Sequence, residues 1–188
     1  MKILRAGNHK RMPWKNGRGE TVEIAVFPPG ATVDTFDWRV SMAAVAEDGA
    51  FSVFPGIDRT LSILEGHGMD LAIEGRDAAL LTKASAPYPF PADAPTTARL
   101  TGGTITDLNV MTRRGRFSHV VETISAPAKI EATDALTLLL CHRGEMQVAD
   151  GECAEALAEL DCAILPIGTT ATLSGSGHGF VIRLKELL

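Results

Sequence analysis

The sequence predicts an all-β protein made of two similar halves. Three observations carry that expectation. Short alternating apolar runs recur between turn residues, helical periodicity is almost absent, and a proline-rich break near the middle is followed by a faint repetition of what precedes it. Thr21–Phe27 alternates and stops at Pro28-Pro29-Gly30. Asp37–Val45 alternates and stops at Glu47-Asp48-Gly49. Arg59–Leu64 ends at Gly66-His67-Gly68, and Met69–Ile73 follows, which is the pattern of a β-hairpin. Further on, Ile105–Arg113 alternates before Arg114-Gly115-Arg116, and Leu136–Cys141 and Met146–Ala149 flank a second glycine turn. Ala163–Pro166, Ala171–Leu173 and Phe180–Leu184 complete the set. Ala154–Leu160 reads as a short helix or equally as a strand.

The break is residues 83–98, which hold four of the ten prolines, at positions 87, 89, 91 and 95. Proline cannot donate to a sheet ladder, so this stretch reads as a connection or an edge excursion. It divides the chain into halves 1–98 and 99–188, packed as one compact unit with strand exchange between halves left open. Leu61-Ser62-Ile63-Leu64 with Met69-Asp70-Leu71-Ala72 echoes Leu138-Leu139-Leu140-Cys141 with Met146-Gln147-Val148-Ala149, at a constant offset of 77.

Composition excludes several classes of function. The chain has 188 residues, 45% apolar and 22% charged, with a net charge of −5. A length of this order buries a core without disulfides or metals. An acidic balance argues against nucleic-acid and membrane partners, whose phosphates are held by concentrated Lys and Arg. The opening Met1-Lys2-Ile3-Leu4-Arg5 lacks the apolar core of a signal peptide, and no run approaches the length of a membrane span. Cys141, Cys153 and Cys162 are an odd number without CxxC spacing, so they read as small hydrophobes in a reducing cytoplasm.

Leu160-Asp161 followed by Ile164-Leu165-Pro166-Ile167-Gly168 resembles the second signature of the cupin superfamily. The resemblance implies an RmlC-like bicupin of two jelly-roll-like β-barrel halves with few short helices. Metal-binding cupins continue to a histidine where Ala171 stands, and the first signature, with its paired histidines, is missing. The histidines at 9, 67, 119, 142 and 178 include no pair at i+2, the spacing that puts two imidazoles on one strand face. A metal site needs at least three converging donors, so neither metal nor cofactor is expected. No Gly-x-Ser-x-Gly elbow or phosphate loop is present.

Four segments are richer in polar groups than a sandwich core requires. They are Met12–Glu23, containing Trp14-Lys15-Asn16-Gly17; Phe36–Ala43, containing Trp38-Arg39-Val40-Ser41; Asp48–Arg59, containing Phe54-Pro55-Gly56-Ile57-Asp58-Arg59; and Asp107–Gly115, containing Asp107-Leu108-Asn109-Val110-Met111. In this order they resemble the HutD/Ves family, small bicupins tied in many bacteria to histidine utilisation, over nearly the whole chain. Arg18 stands where that family often has a further glycine. The resemblance implies a binding or regulatory protein that senses a histidine-breakdown intermediate, such as a formylated amino acid or a related carboxylate.

Strand parity supplies an independent argument. Thr21 and Glu23 share a face, as do Arg39 and Ser41, and as do Asp107, Asn109, Met111 and Arg113. These positions form either a solvated outer face or the polar lining of a barrel mouth, where small ligands bind. On the second alternative, Arg39 and Arg113 are carboxylate anchors, because a guanidinium grips a carboxylate bidentately. Lys15 adds a point charge, Asn16 and Asn109 offer amide groups, and Trp14 and Trp38 are apolar walls or core. Glu23 pairs with one of the cations. Arg59 is in phase with Leu61 and Ile63, so it is either a structural salt-bridge partner at the strand start or part of the polar set.

The sequence therefore predicts a metal-free bicupin that binds a small anionic metabolite and regulates histidine or amino-acid utilisation, with catalytic residues not assigned. A metal-independent isomerase or hydrolase acting on a small carboxylate, using Lys15, Glu23 or His119 as acid or base, is the alternative. A homodimeric scaffold is the third reading.

Overall fold

The computed structural model describes residues 1–14, 19–151 and 153–187. Among the described residues nineteen strands, numbered along the chain, fall into two units. Strand β1 (Lys2–Leu4) and a 3-10 turn (Ala6–Asn8) open the chain and belong with its last third. The middle unit, Lys10–Arg116, contains β2 (Lys10–Pro13), β3 (Gly19–Phe27), β4 (Trp38–Val45), β5 (Gly49–Ala50), β6 (Ile57–Glu65), β7 (Met69–Ile73), β8 (Ala79–Leu81), β9 (Tyr88–Pro91), β10 (Thr96–Leu100) and β11 (Ile105–Arg113). These form a six-stranded sheet, β2-β3-β4-β11-β6-β9, and a four-stranded sheet, β5-β10-β7-β8. Leu61 and Ile63 from the first sheet pack with Met69, Leu71 and Ile73 from the second in one apolar cluster. Strand β7 alternates buried and exposed because only one of its faces meets that core. The turn joining it to β6 needs glycine at 68, where φ is +121° and a Cβ would lie 2.1 Å from the Leu81 carbonyl oxygen. The hairpin expected at this turn is instead a crossing between sheets, since β6 pairs with β11 and β9 and β7 with β10 and β8.

The second unit, Met1–His9 with Phe117–Leu188, adds β12 (Phe117–Ser125), β13 (Ala128–Ala132), β14 (Leu136–Arg143), β15 (Met146–Ala149), β16 (Ala154–Leu157), β17 (Cys162–Leu165), β18 (Thr169–Gly175) and β19 (His178–Glu186). Its sheets run β1-β17-β14-β19-β12 and β13-β18-β15-β16. The order β4-β11-β6-β9 beside β5-β10-β7-β8 is thus repeated as β12-β19-β14-β17 beside β13-β18-β15-β16. Two jelly-roll-like units follow each other along the chain, as the cupin resemblance implies. Ala154–Leu157, the ambiguous segment, is a strand paired with β15.

Two details differ from the sequence reading. The division falls after Arg116, whereas residue 98 lies inside β10, where Ala98 pairs with Leu71. Pro89 and Pro91 belong to β9, at the edge of the six-stranded sheet, Pro87 precedes it and Pro95 lies in the turn after it, so the prolines interrupt one unit rather than separate two. The echo at offset 77 holds for β7 and β15, where Met69 and Leu71 match the core residues Met146 and Val148. For the preceding strands the core residues are Leu61 and Ile63 in one unit and Leu139 and Cys141 in the other, an offset of 78. The turn from β14 to β15, which likewise crosses between sheets, is one residue shorter than that from β6 to β7, and a one-residue slip exchanges the two faces of a strand.

Strand β1 is fixed to the second unit by pairing with β17 and by Asp161. The Asp161 carboxylate accepts from the Ala6 amide at 2.8 Å and from Arg5 Nη1 at 2.9 Å. Inside this unit Leu139, Val148, Ala163, Leu165 and Val181 form an apolar cluster. Ala171, at the position of the cupin histidine, is part of it. Cys141 and Cys162 are buried free thiols, pushed up to about 11 and about 12 by burial, and Cys153 is exposed.

Candidate functional site

A cavity of about 730 Å³ lies in the middle unit, lined from β3, β4, β6 and β11 and from the segment around β5. Cross-strand register sets its floor in rows. Met111 on β11 pairs with Arg39 on β4 and with Arg59 on β6. With strands spaced at 4.7–4.9 Å, the two arginine Cα atoms lie about 10 Å apart. The next row is Ser41, Asn109 and Leu61, and the third is Thr21, Ala43, Asp107 and Ile63.

Arg39 and Arg59 are both 6% exposed, yet they are held differently. Arg39 donates from Nε to Glu23 Oε2 at 2.8 Å, a paired cation. Arg59 forms no ion pair among the described residues, and its Nε is buried without a hydrogen-bond partner. Its guanidinium instead lies over the rings of Phe51, Phe54 and Phe90, with centroids 5.2, 5.3 and 5.7 Å away. Each such contact is worth about 0.5–2 kcal/mol according to desolvation. Aromatic faces stabilise a cation without neutralising it, so the charge stays available to an incoming anion. Burial lowers the Arg59 pKa to about 10, against an opposing pull from Asp107, with Arg39 lowering it further.

Asp107 is 1% exposed, and burial pushes its carboxyl up to about 7. The pull of Arg59, the Asn109 side chain and the backbone at Ala43 restrain that rise. Asn109 Nδ2 donates to Asp107 Oδ1 at 2.6 Å. At the cavity wall Trp14 Nε1 donates to Thr21 Oγ1 at 2.8 Å, which holds the indole in place. The site therefore offers one paired guanidinium, one unneutralised guanidinium, a carboxyl that titrates near neutrality, and hydroxyl and amide groups.

Six expected site residues line this cavity: Trp14, Thr21, Arg39, Ser41, Asn109 and Met111. Glu23 reaches it through Arg39. Lys15 and Asn16 fall outside the described residues. Arg113 does not join them. It has the right parity, but it ends β11, and its guanidinium donates to the Phe36 carbonyl at 2.8 and 3.0 Å and to the Asp34 carbonyl at 3.1 Å. Trp38 faces away from the cavity and stacks on Phe27. Arg59 and Asp107 are the residues whose part the sequence reading understated. The available signal was an arginine in phase with two core aliphatics and close in sequence to Phe51 and Phe54.

A cupin-type metal does not fit here. Guanidinium groups occupy the interior positions, and among the described residues no three His, Cys, Asp or Glu side chains are grouped to hold a metal ion. No helix of the described residues is long and apolar enough to cross a membrane.

The doubled jelly roll with a polar cavity in one unit defines a bicupin. A cupin-2 conserved barrel domain protein from Leptotrichia buccalis superposes with a TM-score of 0.61 at 8% identity, over 97% of this chain and 99% of that one, a likeness of fold alone. The chain belongs to the HutD family, whose pattern matches residues 6–182. It is similar to an uncharacterized 21.2 kDa protein of the hutC 3' region in Pseudomonas putida, 31% identical over 86% of this chain and 85% of that one. Protein Ves of Citrobacter koseri is 46% identical over 57% of this chain and 56% of its own. The structure of HutD from Pseudomonas fluorescens SBW25, from a formate condition, superposes with a TM-score of 0.86 at 29% identity, covering 98% of each chain.

Proposed function

We propose that this protein binds a small carboxylate metabolite in the cavity of its middle unit and regulates histidine or other amino-acid utilisation according to its occupancy. The reading is of a cytoplasmic binding protein. The observation that carries it is the buried Arg59 guanidinium, held by three rings and, among the described residues, without an ion-pair partner or a hydrogen bond at Nε. A carboxylate complements such a group bidentately. Arg39, kept in orientation by Glu23, is a second cation on the same row, and Ser41, Thr21 and Asn109 suit the carbonyl or amide of a formylated amino acid. The family membership and the formate condition of the P. fluorescens HutD structure support the same ligand class.

Thermal-shift and calorimetric titration with formate, acetate and N-formyl amino acids tests the reading. A ligand at 100 times its Kd raises stability by about 2.7 kcal/mol. Arg59→Met should weaken binding by about 30-fold or more, since an anion loses its buried partner. The variant should remain folded, because an apolar replacement for a buried ion is commonly neutral or stabilising. Equal affinity of the two proteins rejects the assignment.

One observation favours a second reading, a metal-independent isomerase or hydrolase. Asp107 titrates near 7 inside the same cavity, where a carboxyl both gives and takes protons. Turnover of a screened carboxylate, followed by NMR, decides for it.

A further inference from the structure

We infer that the cavity takes up its carboxylate together with one proton, and that Asp107 is where the proton goes. The inference rests on the carboxylate-binding reading and adds how that binding is regulated. Its basis is the count of charges on the buried strands that line the cavity. On the strands beside Asp107, β4 presents Arg39, already paired with Glu23 of β3, and β6 presents Arg59. Asn109 on its own strand is neutral, Ala98 lines the cavity from β10, and Glu47 and Asp48 line it from exposed positions. Neither lysine nor histidine lines the cavity among the described residues.

Among the described residues Arg59 is thus the one lining cation without an ion-pair partner, and Asp107 attracts it without closing an ion pair. An anion seated on Arg59 and an ionised Asp107 would be two buried negative charges facing one positive charge. Like charges in a site of low dielectric do not both persist, and the weaker acid takes up a proton. A bound carboxylate in contact with a guanidinium keeps its charge. The neighbouring Asp107, fully buried and further from Arg59, forms the new O–H bond, and solvent supplies the proton. Asn109 then accompanies a neutral carboxyl, and the site binds one anion to one net positive charge.

The sign follows from linkage. An ordinary carboxylate ligand is ionised throughout pH 6–9, so any pH dependence there belongs to the protein. Affinity should be constant below the Asp107 transition and should weaken about tenfold per pH unit well above it. The probe is formate, titrated into the full-length protein by calorimetry at pH 6, 7, 8 and 9. At pH 8, buffers of different ionisation enthalpy count the protons absorbed, which needs no variant. Close to one proton per formate is expected, and Asp107→Asn should bind with an affinity that no longer changes with pH and without proton uptake. Binding of formate with constant affinity and zero protons overturns the inference, as does a variant that keeps the slope. If wild-type protein binds formate at none of these pH values, the carboxylate reading falls, and this inference with it.

Discussion

Where the middle unit carries Arg59, Asp107 and Asn109, the second unit carries Thr137, Gly179 and Val181. The correspondence is one of register: Leu61 pairs with Asn109 as Leu139 pairs with Val181, and Ile63 with Asp107 as Cys141 with Gly179. Thr137 spends its hydroxyl on the Ala135 carbonyl at 3.2 Å. Gly179 cannot be replaced by any side chain, since a Cβ there would lie 2.0 Å from the Leu140 carbonyl oxygen. Val181 packs in the apolar cluster. The same strand order therefore serves two ends. One unit uses its interior for packing, and the other leaves an unneutralised cation and a protonatable acid inside at a cost in stability. A function confined to one unit is what that difference teaches.

The comparison can be sharpened first through pH. Asp107 holds its proton far more tightly in the folded chain than an ordinary carboxylate does in the unfolded one. Folding stability from this group is therefore present below the unfolded pKa near 4 and declines as pH rises to about 7, after which it is level. From pH 5 to pH 8 the loss is on the order of 2–3 kcal/mol. Urea unfolding of wild type against Asp107→Asn measures it: the gap between them should widen in favour of the variant as pH rises. An unchanging gap would show the acid is not buried as described.

A smaller effect tests the other unit. Val181→Asn places an amide among apolar neighbours, and stability should fall by about 1–3 kcal/mol with carboxylate affinity unchanged. A gain of binding by this variant would break the contrast. The smallest effect belongs to Arg113→Ala, at the end of β11, whose partners are the Asp34 and Phe36 carbonyls and, at 3.7 Å, the Asp37 carboxylate. Stability should drop by about 1 kcal/mol and formate affinity should stay within twofold, both read by thermal melts with and without ligand.

Much of the frame was legible in the sequence. Strands β7, β11 and β15 have the bounds their alternation gives, and parity alone put Arg39, Ser41, Asn109 and Met111 on one face. Parity says which side of a strand a residue takes, not how far along the barrel it sits. That is why Arg113 was grouped with the cavity that it overshoots, and why Arg59, in phase with core leucines, was left between two roles. Its true setting depends on Phe51 and Phe54 from the preceding loop and Phe90 from edge strand β9, contacts that no local pattern records. The inter-sheet turn shortened by one residue likewise hides which core residues of the two units correspond.

The pairing of β1 with β17 has a consequence for synthesis. Residues 2–4 are synthesised well before their partner strand, which ends at residue 165. Strand β1 therefore waits unpaired while Lys10–Arg116 already has its own strands to fold with, and the cavity-bearing unit is finished before the unit that holds β1 and β19.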